Sequence, residues 1–199
     1  MAAENNMYII SGCNGSGKTT ASYTILPELL NCSQFINSDE FAKSLSPFDP
    51  AAASVTASRY LVMKFNYLVN RKTDFGVETT LATRTLLNMI KGAQSEGYKI
   101  TILYLWLNDV EIAINRVKHR VNNGGHDIPE DVIRRRFTKG LEYFFKDYIP
   151  VCDKWLLADN SQTPFSLVAY GDRTSTHILD TGKYELICNQ VYQDILEDD

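Results

Sequence analysis

Between residues 12 and 20 the chain reads Gly12-Cys13-Asn14-Gly15-Ser16-Gly17-Lys18-Thr19-Thr20, which fits the pattern G-x-x-x-x-G-K-[ST]. No other stretch limits the fold so strongly. The pattern works only as the turn between a strand and a helix. Its glycines let the chain curl until successive N–H groups face one anion. The helix that follows adds its positive N-terminal end. The flanks suit this, because residues 8–11 are apolar and read as a strand, and residues 18–30 read as a helix. Gly12, Asn14, Gly15, Ser16, Gly17, Lys18, Thr19 and Thr20 are therefore the expected nucleotide-binding residues. Lys18 is expected to reach the β- and γ-phosphates of ATP, and the Thr19 hydroxyl to bind Mg²⁺.

The rest of the chain alternates in the same way. Short strands are expected at 35–37, 75–78, 99–107 and 154–158, with a further one at 166–170. Helices are expected at 51–70, 84–95, 110–121 and 130–148, and from 184 onward. Residues 99–107, KITILYLWL, are apolar and β-branched, as befits a strand buried on both faces. The expected architecture is α/β: a doubly wound, mainly parallel sheet of five to six strands with helices on both faces, of the P-loop nucleotide-kinase type. At 199 residues and 44% hydrophobic content the chain suits one kinase domain over 1–199. Its longest apolar run, residues 102–107, is too short to span a bilayer. The N-terminus has no basic, apolar leader pattern, and the four cysteines show no metal-finger spacing. A cytoplasmic location is expected. A net charge of −4 excludes a generally basic, nucleic-acid-coating surface.

In a doubly wound sheet the ligand lies beyond the carboxyl ends of the strands, so chemistry should follow each strand. Asp39, after the second, is placed to accept a proton from a substrate hydroxyl, and helix capping is the bland alternative. Glu78, followed by Thr79, ends the third strand, where a lone acid needs a partner if buried. These two positions, with Asp39, are the expected acceptor site. Arg116 and Arg120 share a helix face at spacing i, i+4. Between 116 and 139 seven Lys/Arg residues face only three acids, a local excess that suits an anion. This segment is the expected lid. On the helical wheel Arg136 and Arg120 are the expected phosphate clamps, with Arg116 against the nucleotide base. His126 fits a hydrogen-bonding role in the lid loop, and Asp159-Asn160-Ser161 either an adenine wall or a polar turn.

The phosphate loop, INSDEFA, GVETTLATR, GYKITILYLWL, RVKHRVNNGGHDIPEDVIRRRF and LLADNS occur in this order. Together they resemble the zeta-toxin-like family of P-loop kinases, in a short form, over about residues 8 to 169. The GGH-x-[IV]-P stretch before the Arg-rich helix, with ETTL upstream, is the most specific part. The resemblance implies ATP-dependent phosphorylation of a sugar hydroxyl, as on UDP-N-acetylglucosamine. It makes Asp39 the base, Glu78 an acceptor contact, and Arg120 and Arg136 lid arginines. Cys13 departs from the pattern, standing where the loop often has Pro. The family also admits an antitoxin partner.

Two other classes compete. A nucleotide-dependent switch or motor ATPase would need a guanine reader, or an apolar run before Asp39-Glu40, and neither is present. A polynucleotide kinase would use the 116–139 arginines as a track, but no aromatic residues interleave with them. Residues 171–199 carry no recognisable motif, and a hairpin and a helix that complete one edge of the sheet suit them.

Overall fold

The computed structural model describes residues 4–50, 52–125 and 127–197, with 192–197 as backbone only. Its sheet has seven strands in the order β2-β3-β1-β4-β5-β6-β7. These are β1 Asn5–Ser11, β2 Gln34–Ile36, β3 Phe75–Thr79, β4 Tyr98–Trp106, β5 Lys154–Asp159, β6 Ser166–Gly171 and β7 Thr176–Ile178. The first five pair in parallel, with Met7 opposite Phe75 and Ile9 opposite Ile102. Strands β6 and β7 are antiparallel additions at one edge. The helices are α1 Lys18–Thr24, α2 Ser38–Leu45, α3 Ser54–Asn70, α4 Thr85–Ser95, α5 Val110–Asn122, α6 Glu130–Tyr143 and α7 Thr181–Glu197. The fold is an α/β P-loop kinase-like one.

Strand alternation sorts the core onto two faces. Met7, Ile9, Ile100, Ile102 and Tyr104 pack with Phe65 and Leu68 of α3, Ile90 of α4, Leu141 of α6 and Ile187 of α7. On the other face Ile10, Leu103, Leu105 and Ala158 meet Ala21 and Ile25 on and just after α1. A third cluster, around Cys13, Leu107, Ala113, Val117 and Ile133, ties α5 and α6 to the end of the sheet. The chain leaves β1 toward β2 on one side, and later crosses to β4 on the other. That reversal puts the crevice at the carboxyl end of β1, where the phosphate loop begins.

Four features depart from the sequence reading. The sheet has seven strands rather than five or six, because β7 pairs with β6 in a hairpin at the sheet edge. Helix α2 starts where capping was the alternative for Asp39, but its cap is Asn37 and Asp39 lies inside its first turn. Both α1 and α6 run into π-helical turns, Ile25–Leu29 and Phe144–Tyr148. Pro27 lies within the first and cannot donate to a regular ladder. Helix α7 starts at Thr181, where Asp180 Oδ1 accepts the Lys183 N–H at 3.0 Å. Among the described residues no helix is long and apolar enough to cross a membrane.

Candidate functional site

The loop after β1 is built so that side chains cannot replace its glycines. Gly12, Gly15 and Gly17 have φ of 138°, 78° and 91°. A Cβ on them would strike Leu105 O, Ala113 O and Asn160 Nδ2 respectively. Lys18, 7% exposed, donates from Nζ to Cys13 O at 2.8 Å, so its ammonium lies inside the curl. Burial pulls its pKa down, while Glu78, the Cys13 sulfur and Asp39 push it back up. Among the described residues Ser16 Oγ is buried with no partner, an orphaned donor on the same curl. The Cys13 thiol is pushed up to about 11 by burial, which keeps it protonated and poorly reactive.

A wall of acids and amides stands across from the loop. Glu78 accepts the Thr19 hydroxyl at 2.9 and 3.0 Å and Asn37 Nδ2 at 2.8 Å. Burial raises its carboxyl pKa, against the pull of Lys18 and Thr19. Asn37 caps α2 at the same time, its Oδ1 accepting the N–H groups of Asp39 and Glu40 at 3.0 and 3.1 Å. The cap thus uses the backbone of Asp39 and leaves its exposed carboxylate for other work. That carboxylate lies near enough to bear on Lys18, Glu78 and Arg136 together. Thr79 Oγ1 accepts the Leu81 N–H at 3.1 Å and so braces the turn in which Leu81 takes a φ of 54°. Thr20 is exposed on α1.

The third side is the expected lid. Arg136 Nη1 donates to Asn14 Oδ1 at 3.0 Å, which brings α6 onto the phosphate loop. Burial pulls this guanidinium below its usual pKa, and Asp39 pulls it back up. Arg116 donates to Gly15 O at 3.3 Å and Ser161 O at 3.1 Å, bridging the loop to the turn after β5. Arg120 is exposed near the end of α5 and close enough to Lys18 to depress its ammonium. Its carbonyl accepts the N–H groups of Asn123 and Gly125, curling the lid loop back onto α5. Arg135 is exposed. Arg134 is turned outward, paired with Glu111 at 2.5 Å and Glu130 at 2.6 Å. Lys118 and Lys139 also have acidic partners, so part of the basic excess is neutralised locally. His126 lies outside the described residues.

Two asparagines take roles in the site that spacing did not assign to them. Asn37 links the Glu78 carboxylate to the start of α2. Asn160 Nδ2 donates to Ser16 O at 2.7 Å, so the turn after β5 touches the phosphate loop itself. An Asn just before a helix start was a readable capping signal for the first. Among the described residues no group of three or more His, Cys, Asp or Glu side chains could hold a metal.

Comparisons with known proteins bear on this geometry. The family model for zeta toxin matches residues 2–147. An uncharacterized protein of Haemophilus influenzae is 31% identical over 134 residues, 67% of this chain and 94% of its own. The solved AvrRxo1-ORF1:ORF2 complex with ATP superposes with a TM-score of 0.71 at 16% identity, over 94% of this chain. This chain spans 64% of that one. A structure from the PezAT toxin–antitoxin system of Streptococcus pneumoniae gives a TM-score of 0.63 at 12% identity, over 99% of this chain and 88% of its own.

Proposed function

The chain belongs to the zeta toxin family, and from that premise we propose that it is an ATP-dependent kinase acting on the hydroxyl of a small molecule. The observation that carries the proposal is the convergence on one loop of Lys18, the Glu78–Thr19–Asn37 cluster and Arg136. Four separate elements supply these groups, α1, β3, the cap of α2 and α6, and a solely structural loop needs none of them. The solved AvrRxo1 complex with ATP supports the choice of nucleotide.

In this reading the loop N–H groups, Ser16 Oγ and Lys18 hold the triphosphate tail. Thr19 and Glu78 fit a magnesium ion, since both present hard oxygen donors and already lie within 3.0 Å of each other. When bound, the ion would offset charge on the phosphate oxygens. Glu78 and Thr79 line the acceptor side, with Asn37 fixing the Glu78 carboxylate. Asp39 receives the proton of the acceptor hydroxyl as the γ-phosphoryl leaves ATP. Arg136 and Arg120 offset the charge spread over the transferring group, and Arg116 borders the nucleotide base. The whole chain acts as one kinase domain, with 116–139 as its lid and the cytoplasm as its place of work. The toxin–antitoxin relatives support a protein partner as part of the same proposal.

The test is incubation with γ-labelled ATP and a panel of nucleotide-sugars, sugars, nucleosides and antibiotics, UDP-N-acetylglucosamine included. Label should appear on one hydroxyl-bearing class. Label found only in inorganic phosphate across the whole panel counts against the kinase and for a regulatory ATPase.

A further inference from the structure

The turn after β5 ties the C-terminal helix to the phosphate loop. Asp159 is 8% exposed, and its two oxygens have different partners. Oδ1 accepts the Ser161 N–H at 2.8 Å, and Oδ2 pairs with Lys183 Nζ of α7 at 2.8 Å. The next residue, Asn160, is held at its backbone by Trp106 O, which accepts its N–H at 2.9 Å. Its side chain then reaches 144 positions back along the sequence to Ser16 O. The same Nδ2 fills the space that a Cβ on Gly17 would need. Arg116 closes the bracket from the other side by donating to both Gly15 O and Ser161 O. Helix α7 is fixed independently, with Trp106 Nε1 donating to Gln190 Oε1 at 2.9 Å.

Two carbonyls of the phosphate loop, Gly15 O and Ser16 O, are therefore held from outside the loop. A carbonyl fixed outward forces the adjoining N–H groups inward, toward where an anion would sit. The sequence left open whether Asp159-Asn160-Ser161 reads adenine or is a plain turn. The hydrogen bonds fit the polar turn, with Asp159 Oδ1 accepting the Ser161 N–H, and add that Asn160 Nδ2 donates to the loop backbone.

We propose that Asn160 is a positioning residue for the phosphate loop, and that Lys183, acting through Asp159, lets α7 set the affinity of the loop for polyphosphate. The proposal rests on the reading that this loop binds ATP. It adds that residues beyond the 2–147 family match shape that loop.

The test compares binding of ATP with binding of inorganic tripolyphosphate, which has no base, by calorimetry on the full chain. Asn160→Ala should weaken both ligands about tenfold, the scale of one lost hydrogen bond in a preorganised site. Lys183→Met should weaken both by about threefold, and Lys183→Arg should restore them, since Arg also pairs with a carboxylate. A plainly structural role would not produce equal losses on both ligands with conservative rescue. If Asn160→Ala weakens ATP alone, Asn160 reads the base and the proposal is overturned. Unchanged affinities in folded Asn160→Ala and Lys183→Met overturn it as well. Should Asn160→Ala not fold, the Lys183 pair decides alone by the same two criteria. A wild-type chain that binds neither ligand removes the nucleotide reading and this proposal together, whereas failure in the variants alone removes only the strut.

Discussion

The two walls of the cleft are made in opposite ways. On the floor, Lys18 and Glu78 are largely out of water, and each has named partners within 3.0 Å: Cys13 O for the lysine, Thr19 and Asn37 for the acid. On the lid, Arg120 and Arg135 face solvent, and Arg136 reaches the loop through its contact with Asn14. A buried charge without partners is costly, so the floor must be assembled before any ligand arrives. Charges at the surface cost little to keep, whatever their partners, so the lid does not have to be built around them. Substitutions in the floor should therefore change binding and stability together, and those at Arg120 and Arg136 should act mainly on turnover.

The largest expected effect is Lys18→Ala. It should lower turnover by about 10²–10³-fold or more, as losing a central electrostatic contact does, and weaken ATP binding measured by titration. Asp39→Asn should come next, with a loss of about 10²-fold in turnover and little change in ATP affinity. Arg136→Ala should reduce turnover by about 10–100-fold while the unliganded protein melts near its usual temperature. A melting loss as large as that of a core variant would put Arg136 in the floor and erase the contrast between the walls.

Glu78→Gln sharpens the comparison through stability. Burial raises the folded-state pKa of Glu78. A raised acid favours folding below the ordinary carboxylate range and loses that contribution as pH rises through its folded value. Glu78→Gln should therefore flatten the fall in melting temperature on the alkaline side of the ordinary carboxylate range, read by scanning calorimetry against pH. It should also lose turnover, since Lys18 loses the acid that holds its ammonium charged. The smallest effect belongs to Arg134→Ala, whose exposed pairs with Glu111 and Glu130 should leave turnover unchanged and melting within about 2 °C.

What could be read beforehand follows the same division. The phosphate loop was legible because its pattern, its strand and its helix are contiguous, so spacing carries the geometry. The central strands were legible because burial on both faces leaves an unbroken apolar run, as in β4. Strand β7 was legible only as an edge hairpin without bounds, since all three of its residues are exposed and show no alternation. Helix α2 was legible at its start through capping residues but not in its extent, because only Ala42 among its eight residues is buried. The contacts of Asn37 with Glu78 and of Asn160 with Ser16 span 41 and 144 positions. Only the strand order brings those residues together, and no local pattern announces it.

The central claim is that one loop grips a triphosphate while an acid opposite it takes the proton of an acceptor. The direct measurement is ATP consumption with acceptor present by purified wild type, Lys18→Ala and Asp39→Ala, each checked for an intact fold. Both variants should fall to a few per cent of wild type or below, with ATP affinity lost in the first and kept in the second. Near-normal consumption by both folded variants would contradict the account.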